Sequence, residues 1–157
     1  MTYPAAATIN TPFGGIALHQ HAGQLSIHLL SHSISDPSDC KHGLLKQTTQ
    51  EIMAYLQHAH TSFKLPTKLH GSAFQQKVWL AILAIPLGQT RNYSELAAQL
   101  NSGPRAVANA CGANRLPLLI PCHRVVGKNG LGGFMRGEKN GLSIKRWLLA
   151  HEGVHGY

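Results

Sequence analysis

The apolar residues of this chain fall in short strand-like runs up to residue 30 and at helical spacing afterwards, with a break across residues 64–72, a pattern that points to a small sheet with a helix followed by a mainly helical part. Before the change, Ala7-Thr8-Ile9, Gly15-Ile16-Ala17-Leu18 and Leu25-Ser26-Ile27-His28-Leu29-Leu30 read as short strands. Thr11-Pro12-Phe13-Gly14 and Ala22-Gly23 are turn-forming pieces between them, so the pattern is a meander. Residues 31–42 are polar with one proline, hence loop, and residues 44–55 and slightly beyond carry Leu44, Leu45, Ile52, Tyr55 and Leu56 near helical spacing. Residues 64–72 hold a proline, a glycine and little periodicity, as a linker does.

After the linker the spacing is helical. Phe74, Val78, Trp79, Ile82 and Leu83 form one apolar face, and Pro86-Leu87-Gly88 ends that helix. Asn92-Tyr93-Ser94-Glu95 is an N-cap with glutamate at N3 and opens a helix through Leu100. Asn101-Ser102-Gly103 is a tight turn, and Pro104 suits the first position of a helix running to Gly112. Two short helices joined by a glycine-bearing turn describe a helix-turn-helix. The second carries Ala106, Ala108, Ala110 and Gly112, small enough for close approach to a neighbouring helix or to a DNA groove. Pattern alone does not separate those two uses.

Charge follows the same division. Residues 1–63 carry Lys41 and Lys46 against Asp36, Asp39 and Glu51, a net of −1; residues 64–157 carry twelve Lys and Arg against Glu95, Glu138 and Glu152, a net of +9. A basic half beside a neutral one points to a polyanion, nucleic acid before acidic membrane. No apolar run reaches the roughly 20 residues of a membrane helix, and the first fifteen residues lack the pattern of a secretory leader. The expectation is a cytoplasmic protein with no membrane partner. Three cysteines without CxxC spacing argue against a disulfide framework. Seven of the eleven histidines precede residue 64, including the alternating pairs His19/His21 and His58/His60, but with one cysteine nearby and no ligand motif no metal site is assigned.

The chemistry concentrates in residues 116–126, Leu-Pro-Leu-Leu-Ile-Pro-Cys-His-Arg-Val-Val. Two prolines bracket an apolar run and place Cys122 at a rigid turn. His123 and Arg124 are cationic neighbours that lower a thiol pKa if they reach it, and the thiolate is the nucleophile. Further on, residues 142–151 read as a helix that Gly153 can cap, and Glu152 shares a face with Leu148 and Leu149. A carboxylate on an apolar face needs a partner, and an imidazole near the thiol would make a Cys-His-Glu relay. A solvated glutamate at a frayed helix end is the competing account.

From Phe74 to Gly153 the chain closely resembles the O6-alkylguanine-DNA alkyltransferases. The resemblance rests on Phe74-Gln-x-x-Val-Trp79, Ile85-Pro-x-Gly88, Tyr93-x-x-Leu-Ala97, Arg105-Ala-Val107, Asn114, Ile120-Pro-Cys-His-Arg-Val-Val126 and Trp147-Leu-Leu-Ala-His-Glu-Gly153, in that order. The first 67 residues fit more loosely, through Thr11-Pro-Phe-Gly14 and the meander. The implied fold is α/β (α+β) with two domains: a small ribonuclease-H-like domain over 1–67, and a mainly helical domain with the helix-turn-helix over 68–157.

The resemblance also implies roles. Cys122 would accept the alkyl group, His123 would deprotonate it through a water, and Glu152 would orient His123. Asn114 would tie the recognition helix to the active-site turn. Arg105 would enter from the minor groove and fill the gap left by a flipped nucleotide, with Ala106 beside it against the DNA. Tyr93 would hydrogen-bond the base, Pro117 would wall the pocket, and the main-chain carbonyls of Cys122 and Val125 would read the exocyclic amine of guanine. Gly132-Gly133-Phe134-Met135 departs from the family's usual Gly-Tyr and small residue. Phe134 can stack on the base without donating a hydrogen bond, Met135 can offer its N–H to guanine O6 while narrowing the pocket, and Arg136 would contact phosphate.

The physics of the reaction agrees. O6 of a paired guanine lies inside the stack, so the nucleotide must be flipped, at a few kcal/mol. Transfer to sulfur forms a stable thioether, so one protein acts once, irreversibly, with no cofactor. The expected partner is double-stranded DNA containing O6-alkylguanine, bound through the minor groove by a monomer; the sequence leaves open whether O4-alkylthymine is a further substrate. Cooperative binding along DNA is the alternative to independent binding. The competing functions are a non-catalytic alkylated-DNA binding protein, a cysteine hydrolase, and a plain DNA-binding regulator. The first lacks the acceptor cysteine, the second needs an oxyanion hole that the chain does not announce, and the third leaves the reactive thiol without a purpose.

Overall fold

A computed structural model describes residues 7–40, 43–64 and 68–157. The start of the chain read above for a leader (1–6), the end of the 31–42 loop (41–42), the linker positions 65–67 with the expected domain boundary, and the Arg136 side chain lie outside the described residues. The chain divides into two compact units, Met1–Pro66 with Arg115–Leu119, and Thr67–Asn114 with Ile120–Tyr157. This differs from the contiguous division expected from the sequence. The short 115–119 segment clusters with the first unit, where the Arg115 carbonyl accepts a hydrogen bond from the Ile27 N–H at 2.9 Å.

The first unit is an antiparallel meander, β1 (Ala7–Thr11), β2 (Gly14–His21) and β3 (Gln24–Leu30), followed by helix α1 (Gly43–Gln57). His21 pairs with Gln24, so the β2–β3 connection is the two residues Ala22 and Gly23, at φ 51° and 77°. Positive φ at both positions is the geometry of a tight hairpin turn that matches the twist of the strands. Ile9, Ile16, Leu18, Leu25, Ile27 and Leu29 are buried at alternating positions, and Leu45, Ile52 and Tyr55 supply the buried face of α1. The free edge of β1 is covered by the 31–40 loop: Thr8 N–H donates to the Ser38 carbonyl at 2.9 Å, and the Asn10 carboxamide pairs with the Ile34 backbone at 2.6 and 2.8 Å. A covered edge cannot recruit another strand.

The second unit holds α2 (Ala73–Leu83), β4 (Arg91–Asn92), α3 (Tyr93–Gln99), α4 (Pro104–Gly112), a 3-10 turn (Cys122–Arg124), β5 (Val125–Val126), a second 3-10 turn (Met135–Gly137) and α5 (Gly141–His151). Asn92 and Glu95 form a reciprocal capping box at the start of α3, as their spacing predicts: Asn92 Oδ1 accepts from Glu95 N–H at 2.8 Å, and Glu95 Oε2 accepts from Asn92 N–H at 3.1 Å. Ser72 and Gln75 do the same for α2. The α3–α4 connection turns at Asn101, φ 52°, and Pro104 opens α4 as its first residue. Trp79 Nε1 donates to the Ala110 carbonyl at 2.9 Å, which fastens α4 to α2. The short parallel ladder Arg91↔Val125 and Asn92↔Val126 sets the start of α3 beside the segment that follows Cys122. Among the described residues, no helix is long and apolar enough to cross a membrane.

Candidate active site

Four side chains of the second unit converge around the 3-10 turn. Pro121, with no N–H and a fixed φ of −79°, starts the turn, and Cys122 follows with 9% of its surface exposed. Asn114, two residues beyond α4, directs its Nδ2 to the Ile120 carbonyl at 2.9 Å and to Cys122 Sγ at 3.2 Å. One carboxamide thereby fixes both the chain entering the turn and the sulfur on it. His123, 1% exposed, meets Glu152 through Nε2–Oε2 at 2.8 Å. Glu152 follows α5, and its N–H bonds the Leu148 and Leu149 carbonyls, so its carboxylate leaves the helix on the buried face. The spacing argument for a partnered Glu152 therefore holds against the frayed-end account.

Arg124 is the residue whose role the sequence misassigned. Its Nε donates to Glu152 Oε1 at 2.8 Å, Nη2 to Oε2 at 3.2 Å, and Nη1 to the Ile85 carbonyl at 2.9 Å. The guanidinium is thus engaged by the carboxylate rather than by the thiol. The expectation that His123 and Arg124 depress the Cys122 pKa is corrected on the same grounds. Burial pushes the Cys122 thiol above its ordinary 9.0, with the Asn114 hydrogen bond and the Lys145 charge opposing, and burial pulls His123 below its ordinary 6.5. The resting pair is thiol and neutral imidazole. Ionised Glu152 only accepts, so the neutral ring presents Nε2–H to it and leaves Nδ1 as a lone pair. Among the described residues Nδ1 has no hydrogen-bond partner.

Lys145 is a site residue that sequence reasoning missed. Its side chain has no exposed surface, and Nζ donates to the carbonyls of Val125 at 2.7 Å, Leu131 at 2.6 Å and Gly133 at 2.9 Å. Three acceptors saturate the three N–H bonds of an ammonium. Burial nevertheless pulls its pKa down to about 8, with the Cys122 and Cys111 thiols as its opposing neighbours. The signal was available: Lys145 lies three and four residues before Leu148 and Leu149, on the apolar face of α5. Its ammonium also lies 5.9 Å from the ring centroids of Tyr93 and Phe134.

The remaining expected residues are distributed around this centre. Tyr93 is half-buried at the head of α3, its hydroxyl donates to the Gly133 carbonyl at 3.4 Å, and burial raises its pKa to about 12. Phe134 is buried, and Met135 is half-buried with φ 53°. The Val125 carbonyl already receives Lys145, and the Cys122 carbonyl receives the Val125 N–H, so each has one lone pair engaged within the fold. Arg105 is exposed on the first turn of α4 with Ala106 half-buried beside it. Among the described residues the Arg105 guanidinium has no hydrogen bond or ion pair. Pro117 belongs to the first unit. No group of three or more His, Cys, Asp or Glu side chains able to hold a metal is found among the described residues.

Residues 73–154 match the family model described as the 6-O-methylguanine DNA methyltransferase DNA-binding domain. The chain is 51% identical over 90 residues to a probable methylated-DNA–protein-cysteine methyltransferase of Acanthamoeba polyphaga mimivirus, covering 56% of this chain and 58% of the relative. It is 34% identical over 151 residues to the methylated-DNA–protein-cysteine methyltransferase of Mycobacterium bovis, covering 92% of this chain and 90% of the relative. The chain therefore spans little more than half of the viral relative and nearly all of the mycobacterial one. A solved structure of Mycobacterium tuberculosis OGT in complex with DNA superposes with a TM-score of 0.74 at 34% identity, covering 93% of this chain and 91% of that one. Over its matched half and across a relative nearly its own length alike, the chain belongs to the 6-O-methylguanine DNA methyltransferase family.

Proposed function

We propose that this chain repairs DNA by direct reversal, moving the alkyl group of O6-alkylguanine irreversibly onto Cys122. The observation that carries the reading is the buried arrangement of one thiol held by Asn114 at 3.2 Å and, next to it in the chain, an imidazole held by Glu152 at 2.8 Å. A thiol kept protonated by burial is not spontaneously reactive, and a neutral imidazole with a free Nδ1 is a competent base. His123 takes the thiol proton through a water, and Glu152 and Arg124 hold the ring. Sγ attacks the alkyl carbon, the C–O6 bond breaks with its electron pair going to O6, and the guanine regains a proton at N1. The Cys122 thioether that results has no leaving group, so each protein turns over once.

Several features support duplex DNA as the partner. The α3–turn–α4 pair serves as the helix-turn-helix of the second domain, and the first unit as its ribonuclease-H-like companion. Arg105, exposed on α4, occupies the space of the flipped nucleotide from the minor groove, which offsets part of the unstacking cost. Tyr93 and Phe134 line the base site with Met135. Relatives of this chain are named for methylated DNA, and one is solved with DNA bound.

The test is an intact mass after incubation with a duplex containing O6-methylguanine, followed by peptide mapping. One methyl per protein on the Cys122 peptide is expected, and none with Cys122→Ser. Tight lesion binding without added mass would replace this reading with a damage-binding protein.

A further inference from the structure

Glu152 carries one negative charge and serves two residues. His123 Nε2 meets its Oε2 at 2.8 Å, while Arg124 donates Nε to Oε1 at 2.8 Å and Nη2 to Oε2 at 3.2 Å. The carboxylate has no exposed surface, the imidazole almost none, and the guanidinium is mostly buried. Arg124 is also held through Nη1 by the Ile85 carbonyl at 2.9 Å. An arginine keeps its charge whatever surrounds it. Imidazole, carboxylate and guanidinium thus form a fixed, buried triad with the anion in the middle.

The effect of Arg124 on the ring follows from counting protons. With the guanidinium in place the anion is already compensated, and the imidazole can rest neutral. Its Nε2–H then faces Glu152 and Nδ1 keeps a lone pair. Without the guanidinium, a buried negative charge would be stranded, which is costly, and the site would take up a proton instead. A proton on the ring makes an imidazolium, with Nδ1 protonated. A proton on the carboxyl turns it into a donor to Nε2, and the neutral ring must then carry its own hydrogen on Nδ1. These two forms titrate as one pair, and in both the lone pair at Nδ1 is lost.

The charges that face His123 fit this account. Burial is the largest influence keeping a proton off the ring, Glu152 draws one on, and Arg124 and then Lys145 oppose it. Lys145 donates its N–H bonds to three backbone carbonyls, whereas Arg124 lies on the carboxylate itself.

We propose that Arg124 is a positioning residue for the transfer: by sharing Glu152 with His123, it keeps Nδ1 of His123 free of a proton at neutral pH. This rests on the reading that His123 is the base for Cys122. Arg124 acts through the carboxylate and takes no part in the transfer itself.

The test separates charge from packing. Arg124→Gln keeps a donor for the carboxylate and loses the charge, Arg124→Lys keeps the charge, and R124Q/E152Q removes the stranded anion as well. Each is read twice, by the acid-limb midpoint of transfer from free O6-benzylguanine and by the protonation of His123 Nδ1 in nitrogen NMR, assigned with His123→Gln. R124Q is expected to raise the midpoint by about 1–3 pH units and to carry a hydrogen on Nδ1 at neutral pH. R124K should keep the midpoint of the unaltered protein, and R124Q/E152Q that of E152Q. A purely structural role would slow transfer at every pH without moving the midpoint. If R124Q does not stay folded, R124Q/E152Q should be the more stable of the two, because no anion is stranded in it. The proposal is overturned by an unmoved midpoint with a bare Nδ1 in R124Q, by a shift in R124K as large as in R124Q, or by a double variant no more stable than an unfolded R124Q. Failure of the unaltered protein to accept the benzyl group, with Nδ1 responding to R124Q as expected, would instead overturn the transferase reading and leave the hold of Arg124 on the ring standing.

Discussion

His123 Nε2 and Glu152 Oε2 lie 2.8 Å apart, with the imidazole 1% and the carboxylate 0% exposed, although the two residues are 29 positions apart in the chain. The same carboxylate receives Arg124, so a single buried anion balances a cation and fixes an imidazole. Removing one member of a buried ionic group leaves the others without compensation.

Glu152→Ala is accordingly expected to cost about 3–5 kcal/mol of stability, read as a lower denaturant midpoint. Glu152→Gln keeps the size and one acceptor, and should lower the transfer rate about 10- to 100-fold with a smaller loss of stability. Equal rates for Glu152→Gln and the unaltered protein would remove Glu152 from the relay.

Acid should destabilise the fold through His123. Its folded-state pKa lies below the ordinary 6.5 because burial disfavours the imidazolium. The unfolded chain therefore binds more protons between the two values, and stability falls as pH drops through about 6.5. Denaturation midpoints measured from pH 8 to pH 5 should decline over that window and decline less in His123→Gln. An identical slope in both proteins would assign the acid sensitivity elsewhere.

Asn114→Ala removes the donor to Cys122 Sγ and leaves the Ile120 carbonyl with the Cys122 N–H alone. With that hydrogen bond gone, burial pushes the thiol further up, and transfer from free O6-benzylguanine should slow about 10-fold or more. The pH profile of Cys122 alkylation by iodoacetamide should shift to higher pH in the same variant. A slower transfer with an unshifted profile would mean that Asn114 acts only on the backbone.

Lys145 makes the alkaline limb of activity a structural readout. With a pKa of about 8, its ammonium loses a proton in the range where thiols ionise. The neutral amine has two N–H bonds for three carbonyls and no charge to favour the Cys122 thiolate. Transfer should therefore level or fall above about pH 8 instead of rising with thiol ionisation. Lys145→Met, which takes the ammonium away from the Val125, Leu131 and Gly133 carbonyls, should lower both stability and rate at pH 7. A rate that climbs steadily to pH 10 would show that Lys145 does not support the thiolate.

Much of this protein is written in local order. The alternation of Ile16 and Leu18 and of Leu25, Ile27 and Leu29 specifies the meander, because a strand has a period of two and one of its faces must be buried. Asn92 with Glu95, and Pro104 after Gly103, mark helix starts through groups only three residues apart or fewer. The prolines around Cys122, and Glu152 on the apolar face of α5, are likewise local, and the pairing of Glu152 with an imidazole next to the thiol was legible from them together with the family motif.

Tertiary structure decided what depends on distance between remote segments. Arg124 stands beside Cys122 in the chain yet spends its charge on Glu152, and Lys145, 23 positions away, supplies the cation that opposes the rise in the thiol pKa. Residues 115–119 lie between two parts of the second unit and cluster with the first. Sequence neighbours share a backbone, but their side chains can point to different partners. Coulombic and desolvation energies depend on the distance and burial reached after folding. The residues proposed for the chemistry were therefore readable in order, while their burial and counter-ions were set only by the packed structure.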